Sequence, residues 1–428
     1  MYYQNTIANP SYDPGCGFAL SIEQSAFAKM WVSVSAMTNL ATVPTASGVM
    51  SGKFNWYSGT LSGQLENYSP QFVISSSASR SAPVVRDGVL LNFSTVTQAP
   101  NTDLQPASDS SYVFNGTASA VWEIERTAQI TGTGYFGNYN GGVVLKTGAG
   151  EAVIGRGIEL YNNSGTVRVN AGALTVSGSG ENHNGTFTVE NSARLNIGGR
   201  YELHGANRVT GSGTVSVSGG LVSGAAGDSL NVTGVLMIET SGTLRTTTLS
   251  VGSAGRVGVL GSVAANNITA DGDFTINSGG VLNIGGLGGG LGVTTLAGAL
   301  TLSSGALLAF DLGANGLSDQ LNLSNGTLLN LSGQSFADFL FNPLTDIFAT
   351  GGTYTYNLVT GDVNSLSGFT ALTGQLNGFD ALLSLDEFNS LLQLQIHVIP
   401  EPSTWALLLT GAFVLMSGRR RYPGLRGK

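Results

Sequence analysis

Residue types that most often carry chemistry are scarce in this chain. There are three histidines, His183, His204 and His397, and one cysteine, Cys16. The histidines are scattered in sequence rather than set at ligand spacing, so each reads as a surface or turn residue and no metal site is expected. One thiol permits neither an internal disulfide nor a cysteine-based zinc site. Cutting a polysaccharide needs carboxylates that converge on one face, as an acid and base pair or as calcium ligands. Asp271 and Asp273 are the closely spaced pair in the central region. Two apart, they would share a strand face, but Ala270-Asp-Gly-Asp273 reads more readily as a turn. Tyr135, Phe136, Tyr139 and Asn140 could stack on and hydrogen-bond sugars, or could simply close a coil.

Other chemistries lack their residues. Gly48-Val-Met-Ser-Gly-Lys-Phe54 has the wrong glycine spacing for a phosphate loop, with Phe where Ser or Thr must reach a metal. No Gly-x-Ser-x-Gly nucleophile elbow occurs. The run Gly285-Gly-Leu-Gly-Gly-Gly-Leu-Gly292 carries no aspartate for a calcium nonapeptide and reads as turn or linker. No catalytic residue and no cofactor is expected.

The elements that must position any site follow from composition. The 428 residues include 62 glycines, and charged residues are only 10%, against roughly a quarter in an ordinary soluble domain. With 42% hydrophobic residues the chain can build a long core, which excludes wholesale disorder. Eleven prolines and no G-X-Y period exclude collagen. The formal charge is −8, and no Lys or Arg occurs from Val257 to Gly418, so nucleic acid is excluded as a partner.

From about Gly165 to Leu331 one pattern recurs: a glycine, then apolar residues two apart. Examples are Gly165-Thr-Val-Arg-Val169, Gly185-Thr-Phe-Thr-Val189, Gly213-Thr-Val-Ser-Val217 and Gly255-Arg-Val-Gly-Val259. Period two with β-branched residues predicts short strands, and the glycine predicts a corner with special backbone freedom. Three strands would make a coil of about twenty residues whose edges pair with the next coil. The expected fold is all-β, a β-solenoid; a β-sandwich is the rival. The chain divides into an N-terminal segment (1–48), a β-rich region (49–131), solenoid repeats (132–333), an aromatic and leucine-rich cap (334–397) and a terminal segment (398–428). In the first of these, Lys29 and the apolar Met30 to Ala41 suggest an eroded or mis-started export signal; an irregular segment is the other reading.

The terminal segment has its own physics. Pro400 and Pro402 keep Pro400-Glu401-Pro402 extended. Trp405 to Gly418, including Ala406, Leu407, Leu408, Leu409, Phe413, Val414 and Leu415, is fourteen residues, about 21 Å as a helix, against a hydrocarbon core of roughly 30 Å. It is a short hydrophobic helix that holds a membrane only transiently. Arg419, Arg420 and Arg421 form a basic stop that fixes its direction.

Two resemblances add to this reading. Val143-Val-Leu-Lys-Thr-Gly-Ala-Gly150 with Ser164-Gly-Thr-Val-Arg-Val-Asn-Ala-Gly-Ala-Leu-Thr-Val176 resembles the autotransporter-associated β-strand repeat. Val113-Phe-Asn-Gly116 and Ser318-Asp-Gln-Leu-Asn-Leu323 look like segments found beside such repeats. That resemblance implies a right-handed parallel β-helix exported to a bacterial surface. The Pro-Glu-Pro box, apolar helix and arginines together resemble a PEP-CTERM sorting signal. This second resemblance implies recognition by exosortase, a membrane enzyme of Gram-negative bacteria that also make extracellular polysaccharide. The expectation is a non-catalytic exported surface or matrix protein, structural or adhesive, associated with exopolysaccharide or biofilm. The alternative is a β-helical polysaccharide-degrading enzyme. A monotonous outer face favours the first, and a cleft holding three or more carboxylates and a basic residue favours the second.

Overall fold

The computed structural model describes residues 20–22, 54–56, 59–61, 64–68, 70–75, 82–223, 225–239, 241–259, 265–285, 289–324, 329–331, 333–344, 348, 351–361, 371–386 and 388–398. Nearly every element among them is a strand, and successive coils pair in parallel to build a β-solenoid of about ten turns. From Val121–Glu125 to Thr243–Thr246 each strand hydrogen-bonds in parallel to the third strand after it, which a sandwich of hairpins cannot do, so the rival fold is excluded.

Three faces run the length of the stack. The first carries Val121–Glu125, Val143–Thr147, Thr166–Val169 and Thr186–Val189. The second carries Glu151–Ile154, Ala173–Val176, Arg194–Ile197 and Thr214–Val217. The third carries Thr133–Tyr139, Ile158–Asn163, Gly180–His183 and Arg200–His204. Parallel pairing begins with Phe54–Trp56 on Phe72–Ile74 and crosses position 131 without a break. The described strands on either side of position 131 therefore share one stack.

Alternation does the packing. Strands such as Thr166–Val169 and Thr186–Val189 bury every second residue, sending Val167, Val169, Phe187 and Val189 into one continuous core. Trp122 meets Phe136 edge to face at 5.2 Å in its interior.

A column of seven buried asparagines runs beside that core. Asn67, Asn92, Asn115, Asn138, Asn162, Asn182 and Asn207 stack so that each Nδ2 donates to the Oδ1 of the next, at 2.6–2.9 Å. Successive members lie 25, 23, 23, 24, 20 and 25 residues apart, so most coils are longer than twenty residues. At the last step Leu203 occupies the register position opposite Asn182, and Asn207 from the next strand takes over.

At Gly165 and Gly185 the ladder corrects the expected role of the glycine, whereas Gly172 has the expected positive φ of 69. Gly165 and Gly185 do not have positive φ; that conformation belongs to Ser164 (φ 56) and Asn184 (φ 51) just before them. What excludes a side chain is crowding: a Cβ on Gly165 would lie 2.2 Å from Asn138 Nδ2, and one on Gly185 2.2 Å from Asn182 Oδ1.

After Gly352 the pairing changes. Gly352–Thr360, Leu391–Val398, Phe379–Asp386 and Leu372–Leu376 form an antiparallel sheet, joined to the stack where Leu321 lies opposite Val359. Asp271 and Asp273 fall inside the strand Ala265–Ile276, where the register to Val293–Leu302 shifts between Thr269 and Asp273. The expected turn is thus a bulged strand, because pairing with the coils on both sides supplies the hydrogen bonds a turn would need.

Candidate functional site: the outer side of the third face

Alternation that buries Val113, Phe136, Leu160 and Leu203 turns their neighbours outward, and on the third face these neighbours are aromatic, then acidic and imidazole-bearing. Tyr112, Tyr135 and Tyr161 form a row up successive coils. The Tyr112 ring stacks on Tyr135 at 5.1 Å and 10°, and Tyr135 lies 5.8 Å from Tyr161. Phe114 stacks on Tyr112 at 5.6 Å and meets the edge of Tyr139 at 5.5 Å. Gly137, between Phe114 and Tyr161 in register, makes room for them: a Cβ there would lie 2.2 Å from the Tyr139 ring and 2.6 Å from Phe114.

The hydroxyls of Tyr135, Tyr139 and Tyr161 stay protonated. Glu159's charge, ahead of partial burial, raises the Tyr135 phenol pKa. Burial, with the hydrogen bond to Glu159 second, pushes Tyr161 well above the ordinary range. The Tyr161 hydroxyl donates to Glu159 Oε2 at 3.0 Å. Burial and then the charge of Glu181 raise Tyr139. The result is a ridge of ring faces, with neutral hydroxyls on Tyr135, Tyr139 and Tyr161, suited to stacking on sugar C–H faces and exchanging hydrogen bonds with sugar hydroxyls.

Two of the four aromatic-patch candidates, Tyr135 and Tyr139, face out. Phe136 is fully buried against Trp122, because it alternates with Tyr135 on a strand that is closed on its inner side. Asn140 is an exposed turn residue with φ 54, its Nδ2 donating to Gly116 O at 3.1 Å. The sequence reading missed Tyr112, Phe114 and Tyr161, whose membership of the row depends on the coil register.

Beyond Tyr161 the face changes chemistry. Glu181 lies opposite Glu202, and His183 opposite His204. The imidazoles stack at 4.3 Å, correcting the expectation that these histidines are scattered: one coil of chain separates them in sequence and brings them back side by side. His183 Nε2 is 2.5 Å from Glu181 Oε2, and Glu202 takes Arg200 Nη2 at 3.2 Å with its Oε2 3.9 Å from His204 Nε2. The detectable signal was a repeated Glu-x-His, in Glu181-Asn-His183 and Glu202-Leu-His204. His397 lies elsewhere, in Leu391–Val398, its Nδ1 3.2 Å from Thr353 Oγ1.

Pro400, Glu401, Pro402, Trp405, Ala406, Leu407, Leu408, Leu409, Phe413, Val414, Leu415, Arg419, Arg420 and Arg421 lie outside the described residues, as does residues 1–19 with Cys16. Among the described residues no helix is long and apolar enough to cross a membrane. No protein-family model matches the chain, and no curated protein matches it in sequence.

Proposed function

We propose that the protein is a non-catalytic, exported component of a bacterial surface or extracellular matrix whose third face holds polysaccharide. The observation that carries this reading is the outward row Tyr112, Tyr135 and Tyr161, a continuous aromatic ridge repeated at the coil spacing. The net charge of −8 and the neighbouring Glu159, Glu181 and Glu202 favour an uncharged polymer over a polyuronate. The antiparallel sheet after Gly352 serves as the solenoid's cap, its changed strand direction ending the template that a bare last coil would present. The right-handed sense and the export route rest on the resemblance of residues 143–176 to autotransporter-associated repeats. Sorting by exosortase rests on Pro400-Glu401-Pro402, the short apolar segment and the arginines.

Electrophoresis of the full chain through gels containing a soluble neutral glucan or a polyuronate tests the binding. The neutral glucan should retard the protein, and replacing Tyr135 and Tyr161 together by Ala should abolish the retardation. Equal mobility of wild type and variant in every gel overturns the reading.

The outer face is not monotonous, which favours a second reading, polysaccharide cleavage. Glu159, Glu181 and Glu202 share one face with Arg200. Each is already tied to a neighbour, to Tyr161, His183 and Arg200 respectively, which leaves binding the stronger reading. Reducing ends released by the wild type and lost in Glu181→Gln would establish cleavage instead.

A further inference from the structure

We propose that Glu181, His183 and His204 form a binding site for a divalent transition-metal ion, with zinc the best match. One carboxylate oxygen and one ring nitrogen from each histidine lie within 4.8 Å of one another on the outer side of the third face. Two adjacent, in-register strands hold them: Gly180–His183 supplies Glu181 and His183, and Arg200–His204 supplies His204. The backbone beneath is fixed, since Asn182 and Leu203, which alternate with the ligands, are fully buried.

The geometry needs little adjustment. Zinc binds imidazole nitrogen and carboxylate oxygen at about 2.0–2.2 Å, so tetrahedral ligand atoms stand roughly 3.3 Å apart. Closing from 4.8 Å is within reach of side-chain rotation, the His183 and His204 side chains being 36% and 37% exposed. A hydrogen bond between Glu181 and His183 accounts for one imidazole. The second ring is stacked against the first at 4.3 Å, and Glu202 Oε2 lies 3.9 Å from its Nε2, beyond hydrogen-bond distance. A shared cation would take one nitrogen from each ring at once.

The donor set decides the class of ion. Two imidazoles and one carboxylate suit zinc, nickel or copper, whereas calcium and magnesium take oxygen ligands. Glu202 Oε2, 3.9 Å from His204 Nε2, is placed to orient that ring or to complete the set, in competition with its contact to Arg200. The remaining positions face solvent and are open to water or to an oxygen of a bound molecule. This inference is independent of the glycan reading, because no aromatic residue supplies a ligand.

The test is calorimetric titration of zinc chloride into the full chain, stripped beforehand with a chelator. One saturable site per chain is expected. His183→Ala and His204→Ala should each weaken it by at least about tenfold, the scale already reached by losing an outer-shell partner. His397→Ala should leave it unchanged. All three side chains lie on outer surfaces, and Glu181→Gln offers a variant closer in shape to the wild type. Cobalt substituted for zinc should give the visible absorption of a nitrogen-ligated four- or five-coordinate ion. Absence of saturable zinc binding overturns the proposal, as does binding that survives both His183→Ala and His204→Ala, or calcium binding more tightly than zinc.

Discussion

The side chain of Asn138 lies over that of Asn162 in the next coil, its Nδ2 donating to Asn162 Oδ1 at 2.7 Å while also reaching Gly142 O at 2.9 Å. Asn162 repeats the arrangement with Asn182 and Gly165. Each amide thus closes its own corner and ties that corner to the next, away from water. Such paired amides are worth most where they are buried, because a member that loses its partner has no solvent to replace it.

Asn162→Ala should therefore cost about 2–3 kcal/mol of stability, combining the stranded Oδ1 of Asn182 with the lost bond to Gly165 O. Asn163→Ala, one residue along and exposed, should stay within about 0.5 kcal/mol. Urea unfolding of the two variants makes the comparison. Equal midpoints would mean that the ladder adds nothing to the stack.

Gly185→Ala should be among the most damaging small substitutions. Its Cβ would come within 2.2 Å of Asn182 Oδ1 and 2.3 Å of Asn162 Nδ2, so two ladder members must move at once. Overpacking of this kind costs about 1–3 kcal/mol. Gly290→Ala is the control, since nothing lies within 4 Å of a Cβ there. Thermal melts should separate the two variants clearly.

Elements set by neighbours in the chain were legible in the sequence. Gly165-Thr-Val-Arg-Val169 and Gly185-Thr-Phe-Thr-Val189 announce strands by alternation, and their recurrence announces stacking. The asparagine ladder and the row of Tyr112, Tyr135 and Tyr161 were not legible, because their members meet only through coil register, and coil length varies from 20 to 25 residues. No fixed period therefore reveals them. Phe136 shows the limit of residue type alone: period two sends it inward while Tyr135 goes out. Lys146 shows the same limit in the Lys-Thr-Gly-Ala-Gly segment. It is fully buried, and its Nζ donates to Thr147 O, Gly148 O and Ala171 O at 2.6–3.1 Å, binding its own corner to the next. Burial lowers its pKa, yet nothing in the order of residues separates it from a surface lysine.

In its host the chain should be cut beside Pro400-Glu401-Pro402, leaving a mature protein without Trp405 to Lys428. A fourteen-residue apolar segment is short for holding the chain in a bilayer, and on the proposed sorting route it would serve as a temporary stop while a membrane enzyme reads the Pro-Glu-Pro box. Glu401→Ala should leave an uncut precursor in the membrane, and replacing Arg419, Arg420 and Arg421 by Ser should weaken the stop. Mass spectrometry of the C-terminal peptides checks this. Peptides containing Trp405 in protein already at the cell surface would refute it.

Asp319 should make stability depend on pH between about 4 and 7. Its carboxylate is fully buried, accepting Gly292 N–H at 2.7 Å and Asp311 N–H at 2.5 Å. Burial pushes its pKa up to about 7, with the charge of Asp311 adding a smaller push, against the pull of those two donors. An unfolded aspartate titrates near 3.9. The folded state therefore binds the proton more tightly, so the stabilisation is fully present below about pH 4 and is lost as pH rises through about 7. Asp319→Asn removes the titration and keeps one acceptor for the backbone. Melting temperatures of the wild type should fall more steeply from pH 4.5 to 8 than those of Asp319→Asn. Parallel curves for the wild type and Asp319→Asn would show that Asp319 stays ionised throughout, with the two N–H donors outweighing burial.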